Sequence, residues 1–202
     1  MEVAPLIMEK ACLMHEELYG SKLDHFLMDA GYDAHFIYEK AALDLKVPAI
    51  VKLNLRGQKK PPAGFTEDGT PICPGKHPMV YWGTDKKRLL NKFRCPKAVG
   101  KNVICNKECG CKSACGKVTN VSIRKNPRLF SSPHRGSKRW EELYKLRWHI
   151  ERLLNVLKNK LNLGQVTVRG LSKVILHVNL CMLAYLAGTA AMLACKAKQE
   201  AA

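Results

Sequence analysis

Acidic residues are scarce in this chain of 202 residues: 17 Asp and Glu stand against 34 Lys and Arg, and the formal net charge is +17. This shortage of negative charge favours a polyanionic partner, with nucleic acid ahead of an acidic membrane. Residues 57–139 hold 19 of the basic and 4 of the acidic residues, whereas residues 1–56 hold 6 and 9. An acidic segment beside a basic one suits a divalent-metal site next to a phosphate-binding surface, although a solvated basic surface explains the charge equally well.

The first residues lack the uninterrupted apolar run of a signal peptide, because Glu2, Glu9, Glu16 and Glu17 interrupt it. We therefore expect no secretion signal and a cytoplasmic protein. In that compartment the nine cysteines should be reduced thiols and not a disulfide framework.

Charged residues are also absent from the stretch 174–195, which is long enough to cross a bilayer. The stretch contains His177, Asn179 and Thr189, and many of its apolar residues are alanines, which contribute little to membrane insertion. We interpret it as a helix buried in a globular core and expect no membrane association, with a spanning helix as the alternative.

The pattern of apolar residues divides the chain into three segments. Residues 1–56 predict an α/β alternation: a helix over 5–19 that ends at Gly20, a strand at 25–28, a helix to about residue 45 and a strand at 47–53. Residues 57–139, rich in Cys and Pro, predict an inserted subdomain that is irregular or β-rich. Residues 140–202 predict two helices, with a turn near residues 162–164.

Four polar residues in the first of these C-terminal helices share one face. Tyr144, Arg147, Glu151 and Lys158 are offset by 3, 7 and 14 positions from the tyrosine, which confines them to an arc of about 60° on a helix. A charged stripe of this kind is usually the solvated side of an amphipathic helix, and geometry alone favours that interpretation.

The order of these residues resembles a family motif. Tyr-x2-Arg-x3-Glu-x6-Lys is similar to the C-terminal signature of DDE transposases of bacterial insertion sequences, which have an RNase H-like catalytic domain. The stretch Asp29-Ala30-Gly31-Tyr32 after a short apolar run resembles that family's second-aspartate motif. The resemblance covers nearly all of the chain and implies an α/β fold: a partial RNase H-like catalytic domain with a basic, Cys-rich insertion and C-terminal helices.

The resemblance implies an activity, a cofactor and a substrate. DDE transposases hold two Mg²⁺ ions (or Mn²⁺) with two Asp and one Glu to cleave phosphodiesters and transfer DNA strands. Asp29 would be the second carboxylate and Glu151 the third, while Tyr144, Arg147 and Lys158 would grip phosphates of double-stranded DNA at the transposon ends. The active complex is expected to be a dimer in the bacterial cytoplasm, associated with the nucleoid.

Two other aspartates compete with Asp29 for the second position. Asp24 precedes the apolar run and more simply begins a turn. Asp33 is better explained as the N-cap of the following helix, where a short carboxylate accepts backbone N–H bonds.

The family pattern places its first aspartate on a strand ahead of the helix at 5–19, and this sequence offers no such residue. We therefore expect a truncated or split chain that is inactive alone. Such a chain would depend on a partner that supplies the missing N-terminal half, or on a full-length transposase.

Six of the nine cysteines lie in the basic middle segment and predict a structural Zn²⁺ site, with free thiols as the alternative. They are Cys73, Cys95, Cys105, Cys109, Cys111 and Cys115, with His77 and His134 as lesser candidates. A competing function follows from this segment: a zinc-stabilised DNA-binding fragment without catalytic activity, in which Glu151 is only a surface charge.

Overall fold

The computed structural model describes residues 3–54, 61–105 and 116–200. The chain forms two compact units, Met1–Lys145 and Leu146–Ala202. Cys109, Cys111 and Cys115 lie outside the described residues. The predicted division at residues 56 and 139 stays a prediction.

The first unit opens with the predicted α/β alternation. Helix α1 spans Ala4–Tyr19 and ends at Gly20, whose left-handed φ of 63° closes the helix with a backbone bond to Glu16. The remaining elements are strand β1 (Phe26–Met28), helix α2 (His35–Glu39, continued by one π-helical turn, Lys40–Asp44) and strand β2 (Ala49–Val51). The four elements confirm the order helix, strand, helix, strand.

Strands β1 and β2 are parallel, with Phe26 opposite Ala49 and Met28 opposite Val51. All three residues of β2 are buried, as expected for a parallel strand covered on both faces. Met8 of α1 and Ile37 of α2 belong to the same core cluster. Burying this apolar surface stabilises the α/β layer by roughly 25 cal/mol per Å² removed from water.

The basic middle segment contains a three-stranded antiparallel sheet, with β3 (Val80–Asp85), β4 (Leu90–Arg94) and β5 (Val118–Ser122) in the order β3-β4-β5. In β4, Asn91 and Phe93 are buried while Lys92 and Arg94 are exposed, because successive side chains of a strand point to opposite faces. The apolar face packs with a second core cluster that includes Val121 and Phe130. In the described part of this segment, the small sheet occurs together with irregular loops.

The C-terminal helices of the structure differ from the predicted ones. The first helix, expected from residue 140 to the turn near residues 162–164, is two helices: α3 (Lys138–Lys145) in the first unit and α4 (Arg147–Lys160) in the second, with a turn at Leu146 between them. The last helix, α5, spans Leu171–Glu200. The second unit therefore consists of α4, α5 and their connection.

The prediction that the apolar stretch 174–195 is a buried helix is wrong in this structure. Helix α5 is long and apolar enough to cross a membrane, yet only 6% of its most apolar window is buried. Cys181, whose thiol donates to the Leu161 carbonyl at 3.0 Å, is its buried residue. Helix α4 packs against α5, and side chains of α5 such as Leu183 and Met192 are exposed.

Candidate active-site carboxylates and their surroundings

Asp29 immediately follows β1, as predicted. Its side chain is exposed and accepts a hydrogen bond of 2.8 Å from the backbone N–H of Ala30, which makes it the N-cap of a single 3₁₀ turn, Ala30–Tyr32. Because β1 and β2 are parallel, their carboxyl ends share one edge of the sheet. Asp29 therefore stands at the edge where ligands of α/β sheets bind.

Asp33 is not a helix cap, and that prediction is wrong. The residue before α2 is Ala34, and no side chain caps the helix. The Asp33 carboxylate is buried instead. Its Oδ2 accepts bonds from the backbone N–H of Asn54 at 2.7 Å and from Arg128 at 2.7 and 3.2 Å. It thus joins the chain after β1 to the chain after β2 and to a distant loop.

A buried phenol completes this cluster. Tyr38 donates to Asp33 Oδ1 at 2.9 Å and accepts from Arg135 Nη2 at 2.7 Å. Burial raises the pKa of Tyr38 well above its ordinary value, and the neighbouring Arg135 opposes that rise. The phenol therefore remains a hydrogen-bond donor at every physiological pH. The cluster fixes the carboxyl edge of the sheet, beside which Asp29 lies.

The four residues of the polar stripe do not lie on one helix. Tyr144 is on α3, in the first unit, where its ring stacks on Trp140 with 4.9 Å between centroids. Arg147, Glu151 and Lys158 are on α4, in the second unit. At about 100° per residue these three fall within an arc of about 40°, so α4 preserves one polar face.

On that face Arg147 Nη2 donates to Glu151 Oε1 at 2.6 Å, an i,i+4 ion pair. The Glu151 side chain is 56% exposed, and Lys158 is exposed in the last turn of α4. Exposure leaves this carboxylate reachable from solvent, unlike that of Asp33. Asp29 and Glu151 belong to different units, so their pairing in one site stays a prediction.

Cysteines of the middle segment gather near one glycine. A Cβ at Gly75 would lie 3.4 Å from Cys105 Sγ, 3.7 Å from Cys73 Sγ and 3.7 Å from a ring carbon of His77. The turn is held by Cys73, whose N–H donates to the His77 carbonyl at 2.9 Å. Cys95 is buried just after β4. In residues 3–54, 61–105 and 116–200, no three His, Cys, Asp or Glu side chains are grouped closely enough to hold a metal.

His134, a lesser zinc candidate, is buried in the core of the first unit. Its Nε2 lies 2.8 Å from Thr70 Oγ1 and 3.7 Å from Asp68 Oδ2. Burial lowers the pKa of His134 to about 4, although the nearby Asp68 opposes that shift. The ring also packs against Phe93 and Tyr81, with centroids 5.0 and 5.3 Å away. It is therefore a neutral core histidine at pH 7.

Sequence reasoning missed Arg128 and Arg135 entirely. Each was one positive charge among the 19 of the middle segment, and only contacts 95 and 97 residues distant in sequence single them out. Asp33 carried a signal, its closeness to Asp29, but the pattern fitted a helix cap equally well.

A comparison with protein families decides the affiliation. Residues 8–187 match the family model described as the transposase DDE domain. The chain belongs to the DDE transposase family. No curated protein and no solved structure gives a significant match.

Membership in the DDE transposase family implies metal-dependent cleavage and joining of DNA. The match includes both Asp29 and Glu151 and all four residues of the predicted motif. The mixed α/β structure, with its parallel strand pair, is consistent with such a domain.

Proposed function

We propose that this transposase domain acts in DNA transposition, with Asp29 and Glu151 as the second and third metal-binding carboxylates of its site. The observation that carries the proposal is the family match, because it extends from before Asp29 to beyond Glu151. This assignment covers two of the three carboxylates that the family uses, and the first is assigned to no residue of this chain.

The structure supports the choice of Asp29 over its neighbours. Both oxygens of the Asp33 carboxylate accept hydrogen bonds in a buried cluster, and binding a metal there would leave buried donors unsatisfied. Asp24 precedes β1 and so lies at the opposite, amino-terminal edge of the parallel pair. Asp29 combines exposure with the carboxyl edge.

The donor atoms fit the metal that the family uses. Asp29 and Glu151 offer carboxylate oxygens, which are the hard ligands that Mg²⁺ and Mn²⁺ prefer. When bound, the ions supply an activated water or 3′-hydroxyl and neutralise charge on the leaving oxygen. Arg147 holds Glu151 in place through their ion pair.

Tyr144, Arg147 and Lys158 hold DNA phosphates in this proposal. A phenol, a guanidinium and an ammonium contact the backbone without reading bases, so they position a transposon end and do not select its sequence. The active complex is a dimer on double-stranded DNA, in the cytoplasm and associated with the nucleoid.

The catalytic assignment is tested by Asp29→Asn and Glu151→Gln in a transposition assay, with the family's first aspartate supplied in the same polypeptide. Each change should lower transposition by more than about 100-fold, since even outer-shell partners of metal ligands contribute about 10- to 100-fold. Mn²⁺ binding, followed by electron paramagnetic resonance, should weaken in parallel.

Glu141→Gln is the matched control, because Glu141 is an exposed carboxylate in the first turn of α3. It should keep parental transposition and metal binding. Parental activity in Glu151→Gln would show that the carboxylate has no catalytic role.

A second candidate, a zinc-stabilised DNA-binding fragment without catalysis, is favoured by the two thiols that approach Gly75. We propose Cys73 and Cys105 as two zinc ligands, with the rest of the set drawn from Cys95, Cys109, Cys111 and Cys115. A structural zinc ion would add folding energy to the small β3-β4-β5 layer.

The zinc proposal predicts about one Zn²⁺ per purified chain, since a tetrahedral thiolate site holds a single ion. Elemental analysis by mass spectrometry should show that Cys73→Ser and Cys105→Ser lose most of it. Cys181→Ser, in the second unit, is the control and should keep it. A parent without zinc, or unchanged zinc in both variants, contradicts the proposal.

A further inference from the structure

The first unit contains a cavity of about 770 Å³ that none of the assignments above uses. Its lining includes Leu23 and His25, which precede β1, and Pro48, which precedes β2. Thr84 and Leu89 from the β3–β4 hairpin also line it. The cavity therefore lies between the two sheets, at the amino-terminal edge of the parallel pair.

The lining of this cavity is strongly basic. It contains Lys22, Lys46, Lys86, Lys87, Arg124 and Arg139, and Asp24 is the single acidic residue among its lining side chains. All six cations are exposed. Within the part of the chain that the structure describes, Arg139 has an acidic neighbour, Glu142, at 3.8 Å, and the other five make no ion pair. Clustering of unpaired cations is unfavourable in an empty cavity and favourable around a polyanion.

Cations from separate elements affect the pKa of one histidine in the lining of the cavity, His25. His25 is partly buried there, and burial lowers its pKa. Arg139 of α3 and Lys86 of the hairpin lower that pKa further, while the adjacent Asp24 opposes them. The positive charge near His25 therefore comes from two different elements, α3 and the β3–β4 hairpin.

The position of the cavity separates it from the proposed catalytic edge. Asp29 follows the carboxyl end of β1, whereas His25 precedes its amino end. Three strand residues lie between them, so the two Cα atoms are four steps, or about 13 Å at 3.3 Å per residue, apart. A phosphate held in the cavity is therefore a different phosphate from the one at Asp29.

We propose that this cavity, the basic groove, binds the phosphodiester backbone of duplex DNA away from the scissile phosphate, as a second DNA-contact site of the transposase domain. The inference rests on the proposed function for its substrate class. Duplex DNA is favoured over a single strand because the rings that line the groove, those of His25, Tyr38 and Tyr81, are buried or half-buried. They offer no exposed ring on which unpaired bases could stack.

The test compares the parent chain with the triple variant Lys86→Ala, Lys87→Ala, Arg124→Ala. Affinity for a 30-base-pair duplex is measured by fluorescence anisotropy over a series of salt concentrations. Each lost phosphate contact should reduce the slope of log K against log salt by about 0.9. The triple variant should therefore bind more weakly at every salt concentration, with a slope shallower by about 2 to 3.

A second triple variant, Lys10→Ala, Lys196→Ala, Lys198→Ala, is the matched control. It removes the same charge from exposed positions outside the groove and should keep a slope close to that of the parent. Circular dichroism confirms that both variants fold, which is expected because all six side chains are exposed.

Equal slopes for the two triple variants would overturn the groove proposal. If Glu151→Gln still abolished transposition in that case, the proposed function would stand without the groove. A parent chain that binds no duplex DNA would overturn both. Binding to phosphatidylserine vesicles, lost in the groove variant and without duplex binding, would assign the groove to a membrane and overturn the proposal.

Discussion

The two units use an arginine–carboxylate pair in opposite ways. In the first unit, Arg128 and Asp33 form a pair whose carboxylate is fully buried and bonded to three partners. In the second, Arg147 and Glu151 form a pair of nearly the same length on the surface of α4. Length alone does not distinguish a structural carboxylate from a candidate catalytic one, whereas burial and the number of bonds to the carboxylate do.

The first unit also buries more side chains than the second. The first unit has two core clusters, while the buried side chains of α4 and α5 are Leu157 and Cys181. A rigid unit can hold a carboxylate in place by its surroundings. Within the second unit, Arg147 of the same helix contacts the exposed Glu151 carboxylate.

The largest predicted loss of stability comes from breaking the buried pair of Arg128 and Asp33. Arg128→Ala should lower the free energy of unfolding of the first unit by about 3 to 5 kcal/mol, because it leaves the buried Asp33 carboxylate without its cation. Urea unfolding checks this when it is followed by Trp82 and Trp140 fluorescence in a Trp148→Phe background, since both tryptophans lie in the first unit. A change below 1 kcal/mol would contradict the structural role of the pair.

The next effect concerns acid. Because burial holds the pKa of His134 at about 4, below its ordinary 6.5, the unfolded chain binds a proton between those values and the folded chain does not. The free energy of unfolding of the first unit is therefore unaffected by this histidine above pH 6.5. It decreases as the pH falls toward 4, by up to about 3 kcal/mol. Urea midpoints of the first unit at pH 7 and pH 4.5 measure it.

His134→Gln is the control for the acid effect, because an amide can still bond Thr70 but does not titrate in this range. Its urea midpoint should depend less steeply on pH than that of the parent. An identical dependence in both proteins would assign the acid sensitivity to other groups.

The smallest change in stability is expected for Glu151→Gln, which is the matched control for Arg128→Ala. Glu151→Gln breaks an exposed pair in the second unit and should alter the free energy of unfolding by less than about 1 kcal/mol. Trp148 fluorescence, with Trp82 and Trp140 replaced by Phe, reports on this unit. A cost equal to that of Arg128→Ala would remove the distinction between the two pairs.

Local patterns predicted much of the fold. The helix ending at Gly20 and the strand before Asp29 follow from apolar periodicity and from a residue that accepts positive φ, which are properties of short segments. The motif around Glu151 predicted the family, and the family match confirms that affiliation. The break at Leu146 was not predicted, because the apolar and polar periodicity continues through it.

The sequence by itself determined the alternation of the first four elements, the position of Asp29 after a strand and the family. Only the tertiary structure decided that Asp33 is buried under Arg128, that α5 is largely exposed, and that six cations line one groove. The physical reason is range. Helix and strand patterns arise between residues a few positions apart, whereas the Asp33–Arg128 bond joins residues 95 positions apart, a distance over which no periodicity in the sequence extends.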